Sequence, residues 1–352
     1  SLGYAAMNVL KAVKNSGVKH QRRALLCKTS ALGAGWLAAP LLAGSMASTA
    51  QAQTSWPTKP IRMVIAFPPG GPTDIVSRII ASELARLLGQ QVVVENRPGA
   101  GGNLGAEQVA RAAADGYTIF YNTSAITIAP ALYSKLNYDP LKDFAAVGLA
   151  ATVPLVLVIN PQVPAKNLRE FVDWAKARKG QINFGSSGSG TITHLAAAQL
   201  AKDAGFSATH VPYKGSAPGM LDLASGQVQF MVDTINSTLP MIRDGRLRAL
   251  AVATSKRSSV LPELPTIAES LIPGFEMSAW QGIVVPTGTP ASIISRLNTE
   301  LQKVLASSEV RSKLLASGTE ILGGSPEQYS SYIQQELKRF AQLAREAGAR
   351  ID

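Results

Sequence analysis

The chain has 352 residues, 46% of them hydrophobic, with 34 Lys and Arg against 23 Asp and Glu, a formal net charge of +11, three histidines and one cysteine. That length is enough for two lobes or one large domain with a substantial core, and a single cysteine excludes a disulfide framework. A basic excess invites a nucleic-acid reading, but the sequence has no basic stripe with interleaved aromatic residues.

The excess has a local origin. Lys11, Lys14, Lys19, Arg22, Arg23 and Lys28 crowd the start, Thr29 to Ala47 carry no charge, and Ala50-Gln51-Ala52 offers a small-residue cleavage pattern. Residues 1–52 therefore read as a cleaved secretory leader, with Met7 a candidate start inside it. Arg22-Arg23 followed by Leu25, Leu26 and Lys28 resembles a twin-arginine signal, except that Cys27 stands where a lysine is expected; Sec export is the favoured route. Gly33, Gly35, Pro40 and Gly44 dilute the apolar run and argue against a retained anchor. Without the leader, 34 less six leaves 28 basic against 23 acidic residues, a net +5, and no cysteine. His20 also falls in the leader, and the remaining histidines show no metal-ligand spacing, so neither metal nor cofactor is expected.

Beyond the leader the periodicity alternates between strand and helix. Residues 61–67 are apolar and rich in β-branched types, which predicts a buried strand. Pro68 to Pro72 stop it, Thr73 or Asp74 offers an N-cap oxygen, and Ile75, Val76, Ile79, Ile80, Leu84, Leu87 and Leu88 recur at helical spacing. Strands at 91–95 and 117–121, with a helix at 104–114 between them and a short one at 129–133, make three successive βα units and hence a parallel sheet. Residues 144–160 are a long apolar stretch broken by Pro154, read as two strands crossing between lobes. Asn167 and Glu170 form a capping-box-like start to a new helix. The middle third then repeats the first, with strands at 182–184, 210–213, 228–232 and 247–253. SAWQGIVVP is the return crossing, Thr289 caps a helix with Pro290 at N1, and Ser325-Pro326-Glu327-Gln328 opens a long last helix to about residue 348. The predicted architecture is α/β and two-lobed: lobe 1 from 53–154 and 277–352, lobe 2 from 155–276, two crossings, and C-terminal helices folded back on lobe 1.

Two glycine-rich turns carry the chemistry. Pro69-Gly70-Gly71 lies between strand and helix, and Gly185-Ser186-Ser187-Gly188-Ser189-Gly190-Thr191 does the same in the second lobe. Each sets backbone N–H groups and the positive end of a helix at a strand end, which favours an anion. His194 in the first turn of the second helix is expected to stay neutral, either as a ligand contact or as a structural histidine. Lys214 is a generic carboxylate partner or a solvated charge. Asp233 at a strand end either orients a ligand group or caps the next turn, and Trp280-Gln281 serve as hinge or packing. A secreted serine hydrolase using Ser189 and His194, with Asp233, is the alternative, but Ser189 occupies the second glycine position of a nucleophile elbow. The dinucleotide fingerprint fails too, because Leu104 stands at the third glycine position of Gly99-Ala100-Gly101-Gly102-Asn103.

WPTKPIRMVIAFPPGGPTDIVSR, ENRPGAGGNLGAEQVARAAADGYT, HVPYKGSAPGMLDLASGQV and VPTGTP closely resemble the Bug-type (TctC-like) periplasmic solute-binding proteins of tripartite tricarboxylate transporters, over nearly the whole mature chain. The resemblance implies a type II Venus-flytrap protein in the periplasm, monomeric and without catalytic activity, that closes on a small carboxylated solute and delivers it to membrane permease subunits. It implies a ligand held by backbone N–H groups and ordered waters. By matching motif, the first-lobe contacts are Pro69, Gly70, Gly71, Thr73 and Asp74, with Asn122 and Ser124. The second-lobe contacts are Ser187, Ser189, Gly190, Thr191 and His194, with Tyr213 and Asp233. Pro72 and Thr73 stand at positions that vary in such loops, so the solute itself stays open.

Overall fold

The computed structural model describes residues 56–347; the leader, Cys27 and His20 lie outside the described residues. Strand β1 (Ile61–Ile65) pairs in parallel with β2 (Val92–Asn96) and β3 (Thr118–Thr123), as three successive βα units require. The side chains of β1 alternate between two cores. Ile61, Met63 and Ile65 face a cluster with Val76, Ile80 and Leu84 of the helix Pro72–Leu88 and Leu297, Leu301 and Val304 of the helix Ala291–Ala306. Val64 faces the opposite side, toward Ala106 and Val109 of the helix Asn103–Ala110 and toward Trp280, Tyr329 and Ile333. Both faces of this half of the sheet are therefore buried, which is why its strands read as continuous apolar runs.

Residues 144–159 form one strand, β4 (Phe144–Ile159), where the sequence suggested two. Pro154 does not break it, because it sits where the partner changes: its register partner is Ser278 of the later crossing strand, and from Leu155 onward β4 pairs with a different strand. A proline tolerates the margin of a ladder, where its missing N–H leaves no bond unmade. In the second half, β5 (Asn183–Ser186) lies parallel to β6 (Thr209–Pro212) and β7 (Phe230–Thr234), and β4 is antiparallel to both β7 and β8 (Arg248–Val252). The return strand, β9 (Ser278–Pro286), pairs antiparallel with β3 and with the first part of β4, and β10 (Glu320–Ile321) adds a short edge. The resulting order is β2-β1-β3-β9-β4-β7-β5-β6. The structure is thus a mixed α/β fold with two lobes sharing β4 and β9.

The short helix expected at 129–133 begins earlier, at Ala125, and runs to Leu132, and two helix caps differ from the sequence reading. The helix after β1 begins at Pro72 with Gly71 as its N-cap, so neither Thr73 nor Asp74 is the cap. Proline at the first position removes an amide that would have had no partner, which makes that start favourable without a side-chain oxygen. The helix Ala291–Ala306 is likewise capped by Pro290, while Thr289 Oγ1 donates to the Pro286 carbonyl at 2.7 Å. Asn167 behaves as expected, its Oδ1 accepting from the Glu170 amide at 3.0 Å at the start of the helix Leu168–Ala177.

The last helix, Pro326–Ala347, does more than fold back on the first lobe. Tyr329 and Ile333 belong to the core around Trp280, but Phe340 and Ala344 join the cluster built on the second half of β4 and on β7. Its Glu336 accepts the Trp280 indole N–H at 3.0 Å. Near the crossing, Tyr329 and Asn122 exchange two hydrogen bonds, at 2.8 and 3.0 Å, both side chains being buried. Tyr329→Phe strands the Asn122 amide in that interior, so the urea midpoint should fall by the equivalent of about 1–3 kcal/mol. Asn167→Ala removes one cap and should cost about 1 kcal/mol; equal midpoints for both variants would contradict this ranking.

Candidate functional site

Among the described residues, five helices begin at the wall of one cavity of about 270 Å³ between the two halves. They are Pro72–Leu88, Ala125–Leu132, Ile192–Ala204, Ser216–Ser225 and Ile235–Arg243, and the cavity is lined at their starts by Gly71 to Thr73, Ser124 and Ala125, Thr191 to Thr193, Gly215 to Ala217, and Thr234. The first amides of a helix have no partner within it, so each start offers N–H groups and about half a positive charge to the enclosed space. The arrangement follows from topology: each of these helices leaves the carboxyl end of a strand, and those ends face one gap. Hydroxyls of Thr73, Ser124, Ser187, Thr191, Thr193 and Ser216 add polar groups without net charge. Lys214 is the only charged side chain lining the cavity among the described residues, and no carboxylate lines it.

The residues expected to contact a ligand divide into three groups. Pro69, Gly71, Thr73, Ser124, Ser187 and Thr191 line the cavity. Ser189 and Tyr213 line an adjoining chamber of about 700 Å³, which shares Phe67, Pro68, Ser187, Lys214 and Gly215 with the first. The rest stand behind the wall and hold it. Asp74 accepts the Gly70 amide at 2.9 Å, Arg78 Nε at 3.0 Å and Asn96 Nδ2 at 3.0 Å, so it pins the Gly70 turn. Burial alone would raise the Asp74 pKa, but the bonds from Arg78, Gly70 and Asn96 outweigh it and hold it below the usual carboxylate range. Asn122 is occupied by Tyr329. The Gly190 amide donates to His194 Nδ1 at 3.3 Å, and burial pushes the His194 imidazole down to about 4.

Asp233 is fully buried, and its Oδ1 accepts from Ser216 Oγ at 2.9 Å, the Thr234 amide at 2.7 Å and Ser237 Oγ at 3.1 Å. It therefore orients Ser216 and Thr234, two lining residues the sequence did not single out, and burial raises its pKa despite those bonds. The polar partners of His194 and Asp233 are thus the loop amide and this hydroxyl cluster, and Ser189 turns its carbonyl to Tyr133 Oη at 3.2 Å. The triad reading of Ser189, His194 and Asp233 has no hydrogen-bonded chain behind it. Thr123, Thr193, Gly215, Ala279 and Gln281 also line the cavity beyond the sequence reading. Thr123, Thr193 and Gly215 share a signal of position, at a strand end or at the start of the helix that follows, whereas Ala279 and Gln281 lie within the crossing strand β9.

The halves touch around the cavity. Tyr133 Oη reaches the Ser189 carbonyl, a Cβ added at Gly215 would stand 3.3 Å from Pro68 Cγ, and one added at Gly101 (φ +65°) would stand 2.5 Å from the Ser189 oxygen. Glycine at residue 101 is required by both the left-handed backbone and this approach. The two halves are therefore in direct contact at the rim of the cavity.

Comparison with known proteins agrees with this geometry. The family described as "Tripartite tricarboxylate transporter family receptor" (TctC) matches residues 76–349. Protein BugT of Bordetella pertussis is 38% identical over 299 residues, 84% of this chain and 92% of that protein. The structure titled "R. palustris Rpa4515 with adipate" is similar with a TM-score of 0.82 and 37% identity, covering 84% of this chain and all of that one. MatC (Rpa3494) from Rhodopseudomonas palustris with bound malate is similar with a TM-score of 0.78 and 35% identity, covering 82% of this chain and 99% of that one. These relatives are binding proteins and not enzymes, and on a family match of this extent the chain belongs to the TctC receptors, the Bug-type periplasmic solute-binding proteins.

Proposed function

We propose that this chain is an exported receptor that closes on one small carboxylate and presents it to the permease subunits of a tripartite tricarboxylate-type transporter. The observation that carries the reading is the set of five helix starts around a cavity that no acidic side chain lines. Each start contributes about 0.3–1 kcal/mol toward a carboxylate, or about 2 where partly buried, so five acting together favour an anion without an arginine clamp. Residues 1–52 act as the cleaved leader in this reading, and the mature protein works as a periplasmic monomer. Residues 53–154 with 277–352 form one lobe and 155–276 the other, hinged at the two shared strands. Pro69, Gly71, Thr73, Ser124, Ser187 and Thr191 touch the solute. Gly70, Asp74, Asn122, Gly190, His194 and Asp233 shape the surfaces that do, and Ser189 and Tyr213 meet any part that extends into the adjoining chamber.

Adipate and malate, the ligands named with two similar structures, are the first probes. A carboxylate at a hundred times its dissociation constant should add about 2.7 kcal/mol of apparent stability in a thermal-shift experiment. Gly71→Val puts two methyl groups into the cradle from an ordinary backbone conformation, φ −78°. The variant should keep its circular dichroism and lose at least about tenfold in affinity, or about 1.4 kcal/mol; unchanged binding would remove this loop from the site. Gly101→Ala should act differently, by propping the halves apart at the Ser189 carbonyl. Its radius of gyration in scattering should stay at the ligand-free value when solute is added, and contraction equal to wild type would refute the closed-form contact.

A further inference from the structure

Behind loop 186–191 lie two imidazole rings whose arrangement solute binding does not by itself require. His194, in the first turn of the helix Ile192–Ala204, and His210, on β6, stack face to face with ring centroids 3.9 Å apart and planes 10° from parallel. Each holds one end of the loop. His210 Nε2 is 2.6 Å from Ser186 Oγ, and that hydroxyl in turn bonds both the amide and the carbonyl of Gly188, each at 3.2 Å. At the other end the Gly190 amide donates to His194 Nδ1 at 3.3 Å. Between these anchors lie Ser187, which lines the cavity, and Ser189, whose carbonyl meets Tyr133 of the opposite half.

We propose that His194 and His210 are positioning residues, a stacked and uncharged pair that sets the shape of loop 186–191 and through it the grip on the solute. The proposal rests on the reading of the cavity as the solute site. Hydrogen-bond roles fix the charge requirement. Nδ1 of His194 must keep its lone pair to accept from Gly190, so a proton there would set two donors against each other. A proton on either ring would also place a cation against a stacked neighbour that has no counter-ion. From β5 the pair faces Phe184, which stacks at 4.9 Å on His210 and 6.2 Å on His194, and the Ser186 hydroxyl; from the loop it faces the Gly190 amide. Among the described residues, the charge interaction that bears on the pair is the one between its two rings. On their shared helix, Lys202 and Asp203 lie two turns past His194.

Burial lowers both imidazoles, with the His194 ring adding to the effect on His210, each from the ordinary 6.5 to about 4. The sign follows: the unfolded chain takes up protons below about 6.5 that the folded one refuses until about 4, so stability falls as pH drops through that window. Affinity should hold near neutrality and fall as pH approaches the lower value.

The test uses substitutions that keep one hydrogen-bond role and cannot titrate. Asparagine Oδ1 stands where histidine Nδ1 accepts, and the glutamine side-chain amide stands where Nε2–H donates. His194→Asn with His210→Gln should therefore bind adipate within about threefold of wild type near neutral pH. Calorimetric titrations from about pH 7 to about 4 should then show wild type losing about threefold more affinity than this variant, the protonation of adipate being common to both. His194→Leu should raise hydrogen exchange of peptides covering 186–191 by about tenfold in the ligand-free protein, read at neutral pH with the global melt as control. Parallel acid profiles, or a leucine variant whose loop exchange and adipate affinity match wild type, would overturn the proposal. A wild type that takes up no carboxylate while the leucine variant still loosens the loop would sink the proposed function and support the loop-shaping role.

Discussion

Five helix starts gathered at the wall of one cavity impose a constraint that the rest of this molecule satisfies. Part of that demand is met inside the wall, where Asp233 takes the Thr234 amide, Thr123 Oγ1 the Ala125 amide and Thr191 Oγ1 the His194 amide. The helix-start amides beyond these still favour negative charge, and under the proposed function a carboxylate would meet them without a lining arginine. The charged groups near the site are correspondingly set behind it: Asp74 is spent on the Gly70 turn and Arg78, and Asp233 on Ser216, Thr234 and Ser237. A carboxylate facing inward at either place would oppose the field of the helices.

Selectivity in such a site comes from shape more than from charge. The lining is mostly proline, glycine, alanine and hydroxyl side chains, with Lys214 at the junction with the larger chamber. Helix-terminal amides attract any small anion, so the walls must decide which carbon skeleton fits. Pro68 and Gly215, which meet across the partition, set the passage between the two chambers.

Much of the fold was legible in the sequence because its signals are local. The continuous β-branched apolar run of β1 and the apolar stripe from Val76 to Leu88 identify a strand and a helix without tertiary information, and the capping oxygen of Asn167 marks a helix start. What escaped depends on partners distant in sequence. Pro154 reads as a break unless it is known that β4 changes neighbours there, and Phe340 looks like any stripe residue until it is seen in the other lobe's core. The candidate site divides on the same principle. Glycine turns ahead of helices announced the backbone cradle, whereas His194 in a first helical turn and Asp233 and Asn122 near strand ends are polar residues whose direction is fixed by Gly190, Ser216 and Tyr329, and residue type alone does not reveal that orientation. Ser216 and Thr234 were overlooked because an ordinary hydroxyl at a helix start carries no distinctive spacing.

The last helix ties together the two cores that flank β4 and β9. With Tyr329 and Ile333 anchored in one and Phe340 and Ala344 in the other, a rod about 33 Å long, at 1.5 Å per residue over its 22 residues, belongs to both. Loosening either end of that rod therefore unsettles the packing at the other, so the C-terminal segment acts as a common brace and not as an appendage of the first lobe.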